Sequence, residues 1–196
     1  MVIYMGEKSL QKKQYILETA RKIFSEKGYK NVTMKDIVEA CDISRGGLYL
    51  YFGSTKELLL ELLQQEADET DDTLTRRITE EDSAADILTL FLKEQKKELL
   101  QKKNNLTMAV YEYSFEENDK KNSILRKQFE AGTKIVEKLI ESGIASGEFY
   151  CENPRGAAEN IMYVLEGMKI NSQTIGITES MVDEQLLYIM QGLIIE

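Results

Sequence analysis

Apolar residues recur at spacings of three and four along most of this chain, and a single proline interrupts its 196 residues. That period gathers them on one face of an α-helix, whereas a half-buried strand needs strict alternation. Helix formers dominate, so the expected fold class is all-α. With 42% apolar and 30% charged residues, the chain can bury one sizeable core or carry a small domain attached to a larger one.

Ile16, Leu17, Ala20, Ile23 and Phe24 form the stripe of a first helix, from about Leu10 to Lys27, which Gly28 stops. Thr33 suits the N-cap of a short second helix to about Cys41, with Ile37, Val38 and Cys41 inward. Asp42 tolerates a left-handed turn, and Ser44 caps a third helix that begins at Arg45. The connection has the length of a helix-turn-helix corner. Ser54 or Thr55 opens a long fourth helix reaching about Ile78, with Leu58, Leu59, Leu62 and Leu63 on its buried face. Further helices are expected from Ser83 to about Lys102, from Leu106 to Phe115, and beyond Asn118–Asp119 to about Ala145. Two more follow, one from an Asn153–Pro154 start and one over Glu179–Ile194, making about nine.

The stretch SRGGLYLYFGSTKE, residues 44–57, carries a local conflict. Adjacent glycines weaken a helix by about 1 kcal/mol each, and Leu48 to Phe52 has the composition of a strand. No partner strand lies nearby to satisfy such a segment. The helical reading therefore stands: Leu48 and Phe52, spaced i and i+4, plug the core while Tyr49 and Tyr51 point elsewhere. The glycines then serve close approach of the backbone to a partner.

Charge divides the chain. Residues 1–56 hold ten Lys and Arg against six Asp and Glu, a net of +4, so the overall −9 leaves −13 on the remainder. A basic head able to approach phosphates and an acidic body with another task are implied. No apolar run approaches a bilayer span, and no leader pattern opens the chain, so a cytoplasmic protein without a membrane partner is expected. Cys41 and Cys151 are expected to be reduced. There is no histidine, which removes His-based triads and His-ligated metals, and no phosphate-loop or dinucleotide glycine pattern is present. Neither an enzyme nor a cofactor or metal is expected.

The segment TMKDIVEACDISRGGLYLYFGSTKELL, preceded by ILETARKIFSEKGY, resembles the DNA-binding domain of TetR-type transcriptional regulators over about residues 10–63. Ala20, Phe24, Gly28, Tyr29, Thr33, Ile37, Ser44, Gly46, Leu48, Tyr49, Tyr51, Phe52 and Leu58 match the family pattern. Cys41 and Asp42 stand where alanine and glycine are usual, and Thr55 intervenes before Lys56 where the family places lysine directly after the serine. The later residues are similar only in general style, ASGEF at 145–149 included.

The resemblance implies an N-terminal three-helix helix-turn-helix DNA-binding domain, residues 1–56, joined by the long fourth helix to a helical ligand-binding and dimerisation domain, residues 57–196. Its implied DNA contacts are Thr33, Arg45, Gly46, Gly47, Tyr49, Tyr51 and Lys56. Arg45, the long donor at the start of the third helix, suits either a guanine or a phosphate. The implied partners are a pseudo-palindromic double-stranded DNA operator, a second copy bound through the last two helices, and an unidentified small-molecule inducer that relieves repression. Candidate inducer-lining residues are Phe91, Met108, Tyr111, Glu112, Phe115, Phe129, Met162, Tyr163 and Glu166, the two glutamates favouring a cation if buried. The competing reading is a helical protein-interaction module without sequence-specific DNA binding, which salt-dependent duplex binding separates from a regulator.

Overall fold

Capping chemistry sets where each helix begins. The computed structural model describes residues 6–77, 82–101, 105–119, 121 and 123–194. Among them are α1 (Glu7–Lys27), α2 (Met34–Cys41), α3 (Arg45–Tyr49), α4 (Thr55–Arg77), α5 (Ala84–Leu100), α6 (Thr107–Glu116), α7 (Ile124–Ser146), α8 (Pro154–Gln173) and α9 (Glu179–Gln191). The fold class is all-α, as the periodicity indicated. Side chains of Thr33, Ser44, Ser83, Ser123, Asn153 and Thr178 each accept a backbone N–H at a helix start. Ser54 does the same for α4, taking the Glu57 amide at 3.1 Å while the Glu57 carboxylate returns to the Gly53 amide at 2.7 Å.

Two ends differ from the sequence reading. α1 starts at Glu7, three residues early, and α9 stops at Gln191 rather than Ile194. The last residues leave the helix because the Tyr150 amide donates to the Leu193 carbonyl at 2.9 Å and Phe149 forms an antiparallel bridge with Ile194. The expected ends at Ile78 and Lys102 lie outside the described residues.

The chain forms two compact units, residues 1–71 with 102–116 and residues 72–101 with 117–196. This division departs from one at residue 56 for two reasons. The first turns of α4 bury Leu58, Leu59, Leu62 and Leu63 in the first unit, and α6 packs on α1 there. Lys13–Glu61 and Arg21–Glu66 ion pairs fasten α4 to α1. Asp42, at φ 49° and ψ 48°, turns the chain between α2 and α3.

In the second unit, α5, α7, α8 and α9 enclose Leu88, Val136, Ile140, Leu165 and Val182, all fully buried. Three cations each bridge two carboxylates around that core. Lys96 on α5 meets Glu179 (2.8 Å) and Asp183 (2.5 Å), Arg155 meets Glu137 (3.1 Å) and Glu159 (2.9 Å), and Lys169 meets Glu98 and Glu166 (3.5 Å each). Both cysteines are free thiols, and burial pushes the Cys41 thiol above its ordinary pKa. No helix among the described residues is long and apolar enough to cross a membrane.

The α7–α8 corner is closed by glycine. Gly147 takes φ 81°, and the Gly143 carbonyl receives the amides of Glu148 (2.8 Å) and Phe149 (3.0 Å). Glu148 then reaches the start of α5, accepting the amides of Ala84 (3.3 Å) and Ala85 (3.0 Å). Phe149 lies so close to Gly143 that a Cβ there would stand 2.1 Å from its ring. Gly143→Ala is expected to destabilise the protein by about 1–3 kcal/mol through overpacking. Urea unfolding with an unchanged m-value checks this, and a midpoint equal to wild type contradicts the contact.

Candidate nucleic-acid interface

α3 has five residues and is anchored by what it buries. Leu48 and Phe52 are inside, and the Ser44 hydroxyl accepts the Gly47 amide at 3.1 Å. Helical spacing sorts the remaining positions into three strips of i and i+4 pairs, Arg45 with Tyr49, Gly46 with Leu50, and Gly47 with Tyr51. In the first, the Arg45 guanidinium lies 5.5 Å from the Tyr49 ring centroid, which holds a planar, five-donor group at the exposed start of the helix.

The second strip is open: a Cβ on Gly46 would meet nothing within 4 Å. Nothing inside the protein therefore requires glycine at Gly46. At Gly47 an added Cβ would stand 3.1 Å from the Ser44 hydroxyl oxygen and 3.8 Å from the Lys12 ammonium. The sequence reading gave close approach to both glycines; in the structure the space is open at Gly46 and partly filled at Gly47.

The third strip meets the first turns of α1. Tyr51 Oη and Ser9 Oγ are 3.1 Å apart, and Lys12 stands beside Gly47. Lys12 was missing from the sequence-based set, as was Leu50. A sequence pattern shows which face of α1 is polar, but not that its polar face begins beside α3.

Thr33 is occupied as a cap. Its hydroxyl and its amide, at 2.9 Å for the latter, both donate to Asp36 Oδ2, while the Asp36 amide returns to Thr33 Oγ1 at 3.3 Å. Lys27 binds the other carboxylate oxygen at 2.7 Å. That Lys27 contact first, then the Thr33 donors, holds the Asp36 carboxyl far below the ordinary carboxylate range. A phosphate reaching the Thr33 hydroxyl would have to displace its partner. Lys56, in the first turn of α4, places its ammonium 5.7 Å from the Tyr113 ring centroid on α6.

The nine inducer candidates divide between the two units. Met108, Tyr111, Glu112 and Phe115 lie on α6 in the first, with Phe115 77% exposed. Glu112 accepts the Lys30 amide at 2.9 Å and fills the space beside Gly28, where a Cβ would be 2.5 Å from its carboxylate. Next to it Tyr113 meets Tyr29 edge-on at 5.1 Å. In the second unit Phe91 and Met162 are core residues. Phe129 and Tyr163 pair at 4.9 Å and, with Glu166, line an open groove of about 380 Å³ between α7 and α8.

Residues 16–62 match the bacterial regulatory proteins of the tetR family, and residues 87–183 match a tetracyclin repressor-like C-terminal domain. The HTH-type transcriptional regulator YfiR of Bacillus subtilis is 32% identical over 141 residues, 71% of this chain and 68% of that protein. The HTH-type transcriptional repressor AcnR of Corynebacterium efficiens is 35% identical over 75 residues, 38% of this chain and 40% of that protein. A Saccharomonospora viridis protein solved in complex with choline shares the fold with a TM-score of 0.82 at 19% identity, covering 95% of this chain and 100% of that one.

The Asp36 cap sets a pH dependence. Its folded-state pKa is depressed, so its contribution is complete above the unfolded value of about 3.9 and is lost as pH falls through the folded value. Below about pH 4, Asp36→Asn is expected to close its stability gap to wild type; a gap constant from pH 6 downward in urea titrations contradicts this.

Proposed function

The chain belongs to the TetR family of transcriptional regulators, and from that premise we propose that it is a homodimeric repressor, held on a pseudo-palindromic operator until a small molecule bound in its second unit releases it. The outer face of α3 is the observation that carries this reading. It combines a stacked arginine, two tyrosines and a lysine from α1 around a glycine that leaves the backbone open, within residues 1–56, whose net charge is +4.

Dimerisation through α8 and α9 is supported by side chains that the second unit leaves outside. Tyr163, Gly167 and Ile170 line one stripe of α8, and Met181 and Tyr188 one of α9. Gly167 costs about 1 kcal/mol in mid-helix, yet a Cβ there would meet nothing within 4 Å. A closely approaching partner helix gives that glycine a purpose, and an isologous interface then sets two heads on successive major grooves.

Coupling runs through α6, whose two chain ends both lead into the second unit while the helix itself is packed on α1. Glu112 holds the turn that delivers Thr33 and α2, so a shift of α6 disturbs the head that grips DNA. For the inducer, the α7–α8 groove offers an aromatic pair and three carboxylates, Glu130, Glu159 and Glu166, which are ion-paired with Arg126, Arg155 and Lys169. Glu112 no longer contributes to a cation preference, which rests on the Phe129–Tyr163 pair and on the choline bound by a protein of the same fold.

Selection from a random DNA pool is expected to yield a pseudo-palindrome. Binding should weaken steeply as salt rises, and Arg45→Ala or Lys12→Ala should lower the salt slope by about one phosphate per head if each clamps a phosphate. Absence of duplex affinity at low salt favours the protein-interaction alternative. Choline or a larger quaternary ammonium ion is expected to bind by calorimetry and to weaken in Glu166→Gln; preference for an anion overturns the cationic assignment.

A further inference from the structure

Leu50 is 83% exposed, while its neighbours Leu48 and Phe52 are buried. It follows α3 directly, keeps helical backbone at φ −68° and ψ −24°, and donates its amide to the Gly46 carbonyl at 3.2 Å. It therefore lies one turn from Gly46, on the side of the helix opposite Leu48. The face of the recognition helix that points away from the core is thus a glycine with open space before it and a leucine left in water. Arg45 with Tyr49 flanks it on one side, and Gly47 with Tyr51 and Lys12 on the other.

Cations and hydroxyls suit phosphates and polar base edges, but an isobutyl group suits neither. The apolar group that the major groove itself presents is the C5-methyl of thymine. We propose that Leu50 is a specificity-determining residue that packs against a thymine methyl in each half-site, with Gly46 letting the helix sit deep enough for the contact. This inference rests on the operator-binding reading above. It adds a residue and a base to that reading: Arg45 supplies a donor, and Leu50 supplies an apolar contact one helical turn further along.

The test uses the full chain and an operator obtained by selection. Each thymine is replaced in turn by deoxyuridine, which removes the methyl and leaves the base-pairing edges unchanged. Wild type is expected to lose about fourfold in affinity per half-site at one symmetry-related position. Leu50→Ala should bind the thymine operator more weakly and show no thymine-over-uracil preference at that position, while keeping any preference elsewhere. Because Leu50 is exposed, the variant should keep the wild-type far-UV spectrum and melting temperature. Leu50→Met, which retains an apolar end, should keep part of the discrimination. Methyl discrimination by Leu50→Ala equal to wild type at every position overturns the inference, as does a selected half-site in which no thymine methyl matters. Failure to select any duplex overturns the operator-binding reading itself, so the two failures are distinct.

Discussion

A helix of five residues does not hold itself together in water, because nucleation costs more than one turn returns. α3 exists because Leu48 and Phe52 are driven into the interior of the head, and because Asp42 and Ser44 fix the corner that leads into it. Once Leu48 points inward, the helical period decides the rest. Gly46 and Leu50 must face away, and the Arg45–Tyr49 and Gly47–Tyr51 pairs must flank them. Two adjacent glycines are tolerable here because the stability of the element comes from insertion rather than propensity.

Much of this architecture was legible in the chain, for a physical reason: caps and stripes are local. Thr33, Ser44, Ser83 and Asn153 all start helices where their side chains can take an amide two or three residues on. The interior of the head was readable from the spacing of Ile16, Leu17, Ala20 and Phe24. Which helix lies against which was not readable, because a stripe names a buried face without naming what covers it. α6 illustrates this. Its residues Glu112 and Tyr113 engage Lys30 and Tyr29, more than 80 positions earlier in the chain. The outer face of α3 shows the same boundary: the positions of Arg45 and the tyrosines follow from their place on the helix, whereas Lys12 enters only when α1 is laid beside it.

The charge asymmetry has a structural counterpart. In the second unit, Lys96, Arg155 and Lys169 each hold two carboxylates, mostly from different helices. Individually such partly exposed pairs contribute little. Together they let a unit of 20 Asp and Glu against 13 Lys and Arg, a net of −7, keep its surplus of acid on the surface while its helix seams carry cations. A negative surface repels DNA, so on the proposed reading the attraction rests on the local excess of Lys and Arg in residues 1–56.

Gly28 has two separate reasons to be glycine. Its φ of 73° lies in the left-handed region, and the Glu112 carboxylate occupies the space a side chain would need. Shortening Glu112 would relieve the crowding but not the backbone strain, and remodelling the turn would relieve the strain but not the crowding. Single steps of drift therefore do not open this position to other residues. Gly28 is guarded by a two-step barrier in sequence space, while Gly46 and Leu50, which face open space, can vary one residue at a time. A lineage with this geometry is free to change the outer face of its third helix far more readily than the turn that follows its first.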